Sequence, residues 1–362
     1  MSNVAVDVRM LGRSGIGRYI EQVVPRVFSA GGLRGTLLGD VESMRSWNVA
    51  RSMPAFELLP CDAPIYSIRE QLAMWRATPR DSDLFWSPHY NIPVLVSGNL
   101  VVTVHDVLHL ARPEHVQGAH RRLYARSMLQ AVRRKADAIL CDSQFTADEL
   151  MRLTGVGADA MHVIPLGVDE ECFRVRSDDP PHDRPYFLFV GNIKPHKNLG
   201  RLVAAFGSVA DELPHDLIIV GQKEGFLSGD ERVVEDAAAL KGRVLFTGRV
   251  DDDAVHRYLA HAEALVLPST YEGFGLPALE AMAAGCPVIV SDVASLPEVC
   301  GDAAVYIDPY DPRSIADAMR RVAESRALRD ELREKGLSRA REFSWDACAR
   351  DTRQVIQAVL AG

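Results

Sequence analysis

Residues 268–291 read PSTYEGFGLPALEAMAAGCPVIVS, and the nine-residue core EGFGLPALE spans Glu272 to Glu280. The apolar run Ala264–Leu267 lies just before this stretch and Val288–Val290 at its end. Short runs of this kind are strands, and the segment between them carries helix punctuation. Proline is tolerated in the first turn of a helix, where its missing N–H has no intrahelical acceptor, so Leu276 and Pro277 open one. Gly285 closes it, because glycine adopts the left-handed conformation that ends helices. Glu272 therefore sits in the loop at the carboxyl end of a strand, and Glu280 lies one turn into the helix. Between them Gly273, Phe274, Gly275 and Leu276 present consecutive backbone N–H groups at a helix N-terminus, which makes a cradle for an anion. A helix-start loop whose carboxylates simply favour the helix dipole is the plain alternative. Two glutamates at this spacing do not choose between the two. The glycine-bracketed phenylalanine and the Leu-Pro pair make the pattern specific.

The same strand-then-helix alternation recurs at Val4–Val8, Leu100–Val104, Ala138–Cys141, Phe187–Val190, Leu217–Val220 and Val244–Phe246. It predicts doubly wound parallel sheets, whose ligands bind beyond the carboxyl ends of the strands. Two further post-strand loops carry chemistry. GRSGIGRY, residues 12–19, follows the first strand and leads into a helix ending near Phe28; Gly15 and Gly17 let the backbone approach a ligand, although a tight turn accounts for them equally well. The dinucleotide fingerprint is incomplete there, which disfavours a nicotinamide cofactor. VGNIKPHKNL, residues 190–199, holds Lys194, His196 and Lys197 ahead of Asn198, read as the cap of a helix running to about Phe206. Ammonium groups beside a helix N-terminus suit a diphosphate, a surface loop with ordinary lysines accounts for them equally well, and the spacing of a Walker A loop is lacking, which disfavours a P-loop enzyme.

At 362 residues the chain is long enough for two cores and hence one cleft. With 47% hydrophobic and 25% charged residues it has the composition of a folded, soluble protein, and a net charge of −8 argues against nucleic acid as the partner. The cysteines at 61, 141, 172, 286, 300 and 348 show no metal-ligand spacing, and MSNVAVDVRML is no signal peptide, so a reducing, cytoplasmic location is expected. Arg121, Arg122, Arg126, Arg133, Arg134 and Lys135 form a basic stretch on a helical pattern. A solvated helix face is the bland reading of it, and a peripheral contact with an anionic membrane surface the sharper one. The proline-rich, polar segment 165–184 reads as a linker. It divides the chain into a domain of residues 1–170 and a domain of residues 171–344, with a last helix, 345–362, crossing back to the first.

Taken together, SGIGRY (14–19), HDV (105–107), CDSQFTADEL (141–150), VIPLGVD (163–169), VGNIKPHKN (190–198), FTGRV (246–250) and the two glutamates eight apart resemble glycosyltransferase family 4, the group 1 retaining enzymes. The resemblance covers nearly the whole chain and implies the GT-B architecture: two Rossmann-like, doubly wound α/β domains facing across a cleft, acceptor on the first and nucleotide-sugar donor on the second. It implies that Glu280 holds the ribose hydroxyls and that Glu272 sits beside the donor sugar. Lys197 and the amides of Gly273, Phe274, Gly275 and Leu276 would bind the diphosphate, Val250 would touch the base, and His105 would lie near the transferred sugar. Gly15, Gly17 and Asn192 complete the expected donor contacts. Many members have arginine where this chain has Asn192, and often at His196 too, which shifts the phosphate grip toward Lys194 and Lys197.

Such sites suit the chemistry, since leaving of a nucleoside diphosphate builds negative charge on phosphate, and preorganised donors meet it. The resemblance implies no cofactor and no metal; Asp251, Asp252 and Asp253 resemble a metal-binding triplet of another glycosyltransferase architecture but are better read as a helix cap. Mannose from GDP-mannose is the expected donor, and a polysaccharide, glycolipid or lipid-linked saccharide the acceptor, approached near HYNIP (89–93). A nucleotide-sugar epimerase and a catalytically inactive nucleotide-binding scaffold are the competing expectations.

Overall fold

The structure, a computed structural model, describes residues 1–12, 14–47, 56–65, 67–115, 118–174, 179–221 and 231–362. Arg13 of the first motif and residues 175–178 of the expected linker lie outside them. The chain divides into two compact units, one of residues 1–167 with 344–362, the other of residues 168–343.

Unit 1 is built on seven parallel strands: β1 (Ser2–Asp7), β2 (Leu33–Gly39), β3 (Phe56–Pro60), β4 (Leu84–Ser87), β5 (Asn99–Val104), β6 (Ala138–Cys141) and β7 (Met161–Val163), in the order β3-β2-β1-β4-β5-β6-β7. Unit 2 has six: β8 (Tyr186–Val190), β9 (Asp216–Val220), β10 (Val244–Gly248), β11 (Ala264–Leu267), β12 (Val288–Ser291) and β13 (Ala304–Ile307), in the order β10-β9-β8-β11-β12-β13. Every described pairing is parallel. AILC in β6 and ALVL in β11 are buried at every position, as strands covered by helices on both faces must be. That burial explains why the strands appear in the sequence as solid apolar runs.

The expectation of doubly wound parallel sheets holds, and both sheets carry the Rossmann order in their first six strands. Five strands were not foreseen: β2, β3, β4, β7 and β13. LRGTLLG has glycine at both ends of its core and FELLP a proline, MHV is three residues long, and each lacks the β-branched run that marks the others. The core of unit 1 packs Leu38, Phe85, Ile92, Val102, Val104, Leu129, Val132, Ile139 and Leu150. The helix Trp345–Ala361 belongs to unit 1 and lies against the helix Ser14–Ser29, with Arg26 Nε 2.8 Å from Asp346 Oδ1. Gly167 lies so close to this helix that a β-carbon there would be 2.1 Å from the backbone nitrogen of Trp345.

Candidate functional site

In unit 2 the connections after β8 and β11 leave for opposite faces of the sheet, which makes their carboxyl ends the switch point where such sheets take ligands. Both expected motifs of this unit arrive there. Lys194–Pro195–His196–Lys197 turns as a short 3₁₀ segment after β8, and Pro268–Gly275 follows β11. The two loops are tied directly: Thr270 N donates to the carbonyl of His196 at 2.8 Å.

Lys197 Nζ is 2.6 Å from Glu272 Oε1, with the two side chains 14% and 10% exposed. Burial alone would raise the Glu272 carboxyl, but the charges of Lys197 and His196 and the bond from Lys197 outweigh it and hold the group below its ordinary value. Glu272 is ionised at neutral pH. Gly275, at φ 106°, turns the chain into the helix Leu276–Ala283, and its carbonyl accepts the N–H groups of Ala278 and Leu279 at 3.0 and 3.3 Å. Ser295 Oγ fixes this turn by donating to the carbonyls of Glu272 and Phe274, at 3.0 and 2.9 Å. Phe274 faces the core, edge-to-face with Phe343 at 5.8 Å, so only its backbone is available to a ligand. Glu280 is a buried carboxylate one turn into the helix.

Other expected residues stand apart from this pair. Asn192 and Lys194 are exposed, whereas His196 is buried, so the expected group of three cations reduces to Lys197 with His196 beside Glu272. Val250 is half-buried beyond β10, two strands from the switch point. Asn198 does not cap the following helix by its side chain, and its own backbone is left-handed at φ 61°. Its amide instead donates to the carbonyls of Pro268 and Pro309, at 2.9 and 2.7 Å, and clasps the ends of β11 and β13. Nothing in the sequence marks that clasp, or Ser295, because their partners lie 21 to 111 residues away. Asp251 Oδ accepts the N–H of Ala254 at 2.8 Å, the capping role assigned to the acidic triplet.

In unit 1 the helix after β1 begins at Ser14, so Gly15 and Gly17 lie in its first turn and not in a loop ahead of it. Gly15 is exposed. Gly17 is buried, and a β-carbon there would meet Met10 O at 2.8 Å and Gly12 N at 2.9 Å, so its close approach is to the protein's own turn. His105 stands just past β5. Its Nδ1 is 2.6 Å from Asp142 Oδ2, beyond β6, its Nε2 is 3.0 Å from the carbonyl of Pro88, beyond β4, and its ring meets Tyr19 edge-on at 4.9 Å. Burial alone would lower this imidazole, and Asp142 with the Pro88 carbonyl raises it above its ordinary value. His89, buried nearby, is pushed down to about 3 by burial and by the charges of His105 and His109. Behind β1, the buried Arg9 guanidinium joins Asp7 at 2.7 Å to Glu70 at 3.0 Å, and Glu70 accepts from Asn91 and Tyr124.

On the helix Ala119–Lys135, Arg121, Arg122, Arg126, Arg133 and Arg134 are exposed. Lys135 leaves the expected basic face, because its Nζ donates to the carbonyls of Val94 and Val96 at 2.7 and 2.6 Å. Leu123 is exposed among the arginines, and Leu72, Trp75 and Leu95 are exposed on the segments that pack beside this helix. No helix among the described residues is long and apolar enough to cross a membrane.

The model of glycosyl transferases group 1 matches residues 174–339, and that of glycosyltransferase family 4 matches residues 44–171. The chain is 29% identical over 288 residues to the O-antigen chain mannosyltransferase B of Escherichia coli, covering 77% of this chain and 75% of that one. It is 30% identical over 260 residues to the serotype-specific mannosyltransferase WbdA of the same species, across 68% of this chain but only 32% of the relative's length. The fold matches that of the sucrose-phosphate synthase of Thermosynechococcus elongatus with a TM-score of 0.81, at 21% identity and over the whole of both chains. Two parallel Rossmann-ordered sheets and two adjoining family matches lead to one assignment: the chain belongs to the group 1, family 4 glycosyltransferases, retaining hexosyltransferases of the GT-B fold.

Proposed function

We propose that this glycosyltransferase moves mannose from GDP-mannose, without a metal ion, to a saccharide or lipid-linked saccharide acceptor in the assembly of a surface polysaccharide or glycolipid. The observation that carries the donor half is the Lys197–Glu272 pair, held at 2.6 Å at the switch point beside a glycine-turned helix N-terminus. An ammonium beside a helix N-terminus stabilises the charge that gathers on a departing diphosphate. Glu280 is suited to accept from ribose hydroxyls, Val250 to pack on the base, and Glu272 to act as an electrostatic neighbour of the sugar. Asn192 and Gly15 complete the donor contacts, and His105 lies near the transferred sugar. The relatives named as mannosyltransferases support the choice of sugar.

Unit 1 takes the acceptor. The exposed arginines of the helix Ala119–Lys135, with Leu72, Trp75, Leu95 and Leu123, suit an anionic membrane surface that bears a lipid-linked substrate.

Thermal unfolding with a panel of GDP-, UDP- and ADP-sugars tests the donor. A ligand at one hundred times its Kd adds about 2.7 kcal/mol of stability. GDP-mannose should give the largest shift. A shift with UDP-sugars alone overturns the choice of donor, and no shift with any of them overturns donor binding. Transfer should persist in excess EDTA, and conversion of the donor without acceptor into a new sugar nucleotide would replace the transferase by an epimerase.

A further inference from the structure

His105 has an acceptor on each ring nitrogen, the Asp142 carboxylate on Nδ1 at 2.6 Å and the Pro88 carbonyl on Nε2 at 3.0 Å. A carbonyl oxygen can only accept, so Nε2 carries a hydrogen. A bare lone pair on Nδ1 would be repelled by a carboxylate at that distance, so a second proton lies in the Nδ1–Oδ2 bond. It belongs to the ring, because an imidazole ordinarily holds a proton more tightly than a carboxylate by roughly two to three pH units, and while burial raises the Asp142 carboxyl, the charge of His105 and its hydrogen bond act against that rise. The side chains are 14% and 4% exposed, so water does little to screen the pair.

We propose that Asp142 is a positioning residue that keeps His105 as an imidazolium with both N–H groups committed to the protein, so that His105 serves the transfer reaction as a fixed positive charge and not as a proton-transferring nitrogen. The catalytic half of this rests on the placement of His105 near the transferred sugar given above. The charge state does not.

The groups around the pair agree with a single charged imidazole. Asp106 follows His105 in the chain and adds negative charge. His89, beyond β4, accepts the N–H of Asn91 on its Nδ1 at 3.2 Å, so that nitrogen is bare and the ring is neutral. Tyr19 from the helix Ser14–Ser29 and Cys348 from the last helix are both held neutral by burial. Thr146 Oγ1 donates to the backbone carbonyl of His105 at 3.3 Å and steadies its position. An imidazolium whose two N–H groups are both committed keeps its charge without moving a proton, which fits a reaction whose acceptor proton goes elsewhere.

The charge state is read by nitrogen resonances of the full-length protein labelled at histidine, assigned by loss of one pair of signals in His105→Gln. Both ring nitrogens of His105 should be protonated at pH 7, and a deprotonated nitrogen there overturns the proposal. The ion pair raises the proton affinity of His105, so the cation is complete at low pH and lost as pH rises through that raised value. Asp142→Asn should therefore move the loss of the imidazolium below its ordinary range near pH 6.5. The alkaline limb of kcat/KM should move with it, by about tenfold in rate for each pH unit of displacement, with KM for the donor changing less than kcat. Asp142→Glu should restore part of the shift. Resonances that move while the limb stays fixed would overturn the catalytic half. Absence of transfer by the wild-type protein would overturn the functional reading together with that half, while the resonances still decide the charge.

Discussion

The carboxyl edge of the unit 2 sheet presents an ammonium, two carboxylates and a glycine-turned backbone, and that of unit 1 presents imidazole and phenol rings. Both edges grow from the same strand order, and in both a buried ion pair fixes the central side chain: Lys197 with Glu272 in one, His105 with Asp142 in the other. In unit 2 the pair lowers the carboxyl of Glu272, and in unit 1 it raises the imidazole of His105. One fold thus uses the same kind of contact to favour the deprotonated form of an acid on one sheet and the protonated form of a base on the other.

The largest expected effect on stability comes from Lys197→Met. It leaves Glu272 buried without its ammonium partner, and the unfolding transition of unit 2 should lose about 3 to 5 kcal/mol in a denaturant titration, most of it recovered in Lys197→Met with Glu272→Leu. The Glu272 carboxyl is depressed in the folded state, so the contribution of the pair is present above the ordinary carboxylate value and fades as pH falls through the depressed one. Wild type and Lys197→Met should converge in acid. If the double variant is no better than the single one, the pair is not the organising contact of this edge.

Next comes Glu272→Gln, expected to lower kcat by on the order of a hundredfold with little change in donor KM, as measured by initial rates. Glu280→Gln should weaken donor binding by about 1.5 to 3 kcal/mol in calorimetry, since one oxygen of the acceptor group loses its charge. Equal loss of kcat from both variants would erase the division between a binding and a turnover glutamate.

Two glycines compare the turns. Gly275→Ala places a side chain at φ 106° with its β-carbon 2.7 Å from Leu296 Cδ2, and should cost about 1 to 3 kcal/mol and also weaken donor binding. Gly12, at φ 70° with open space around it, should cost about 1 kcal/mol as alanine and leave donor binding alone. Smallest in stability, within about 0.5 kcal/mol, is Arg121→Ser with Arg122→Ser, which should nevertheless lower binding to anionic vesicles by about 1 kcal/mol per residue in a sedimentation assay.

The difference in legibility between the edges has a physical cause. Glu272, the glycine turn and Glu280 are contiguous, so the unit 2 edge could be read from one strand–loop–helix segment, and Lys197 from its position after another strand. The unit 1 edge is assembled from Pro88, His105 and Asp142, separated by 17 and 37 residues, and only the pairing of β4, β5 and β6 brings them together. Asp106 follows His105 in the chain, yet the carboxylate on the ring is Asp142, which no local pattern marks. Gly17 was equally opaque, since a glycine packed on its own turn and one that admits a ligand look alike in sequence. Lys135 was grouped with the arginines by charge, and only the loop after β4 reveals that its ammonium is tied to two carbonyls.

The helix Trp345–Ala361 also gives the chain an order in time. Unit 2 is one continuous segment that is synthesised before this helix, whereas unit 1 lacks its layer against the helix Ser14–Ser29 until residues 344–362 are made. Unit 2 therefore has its whole sequence before unit 1 has, although most of unit 1 precedes it in the chain.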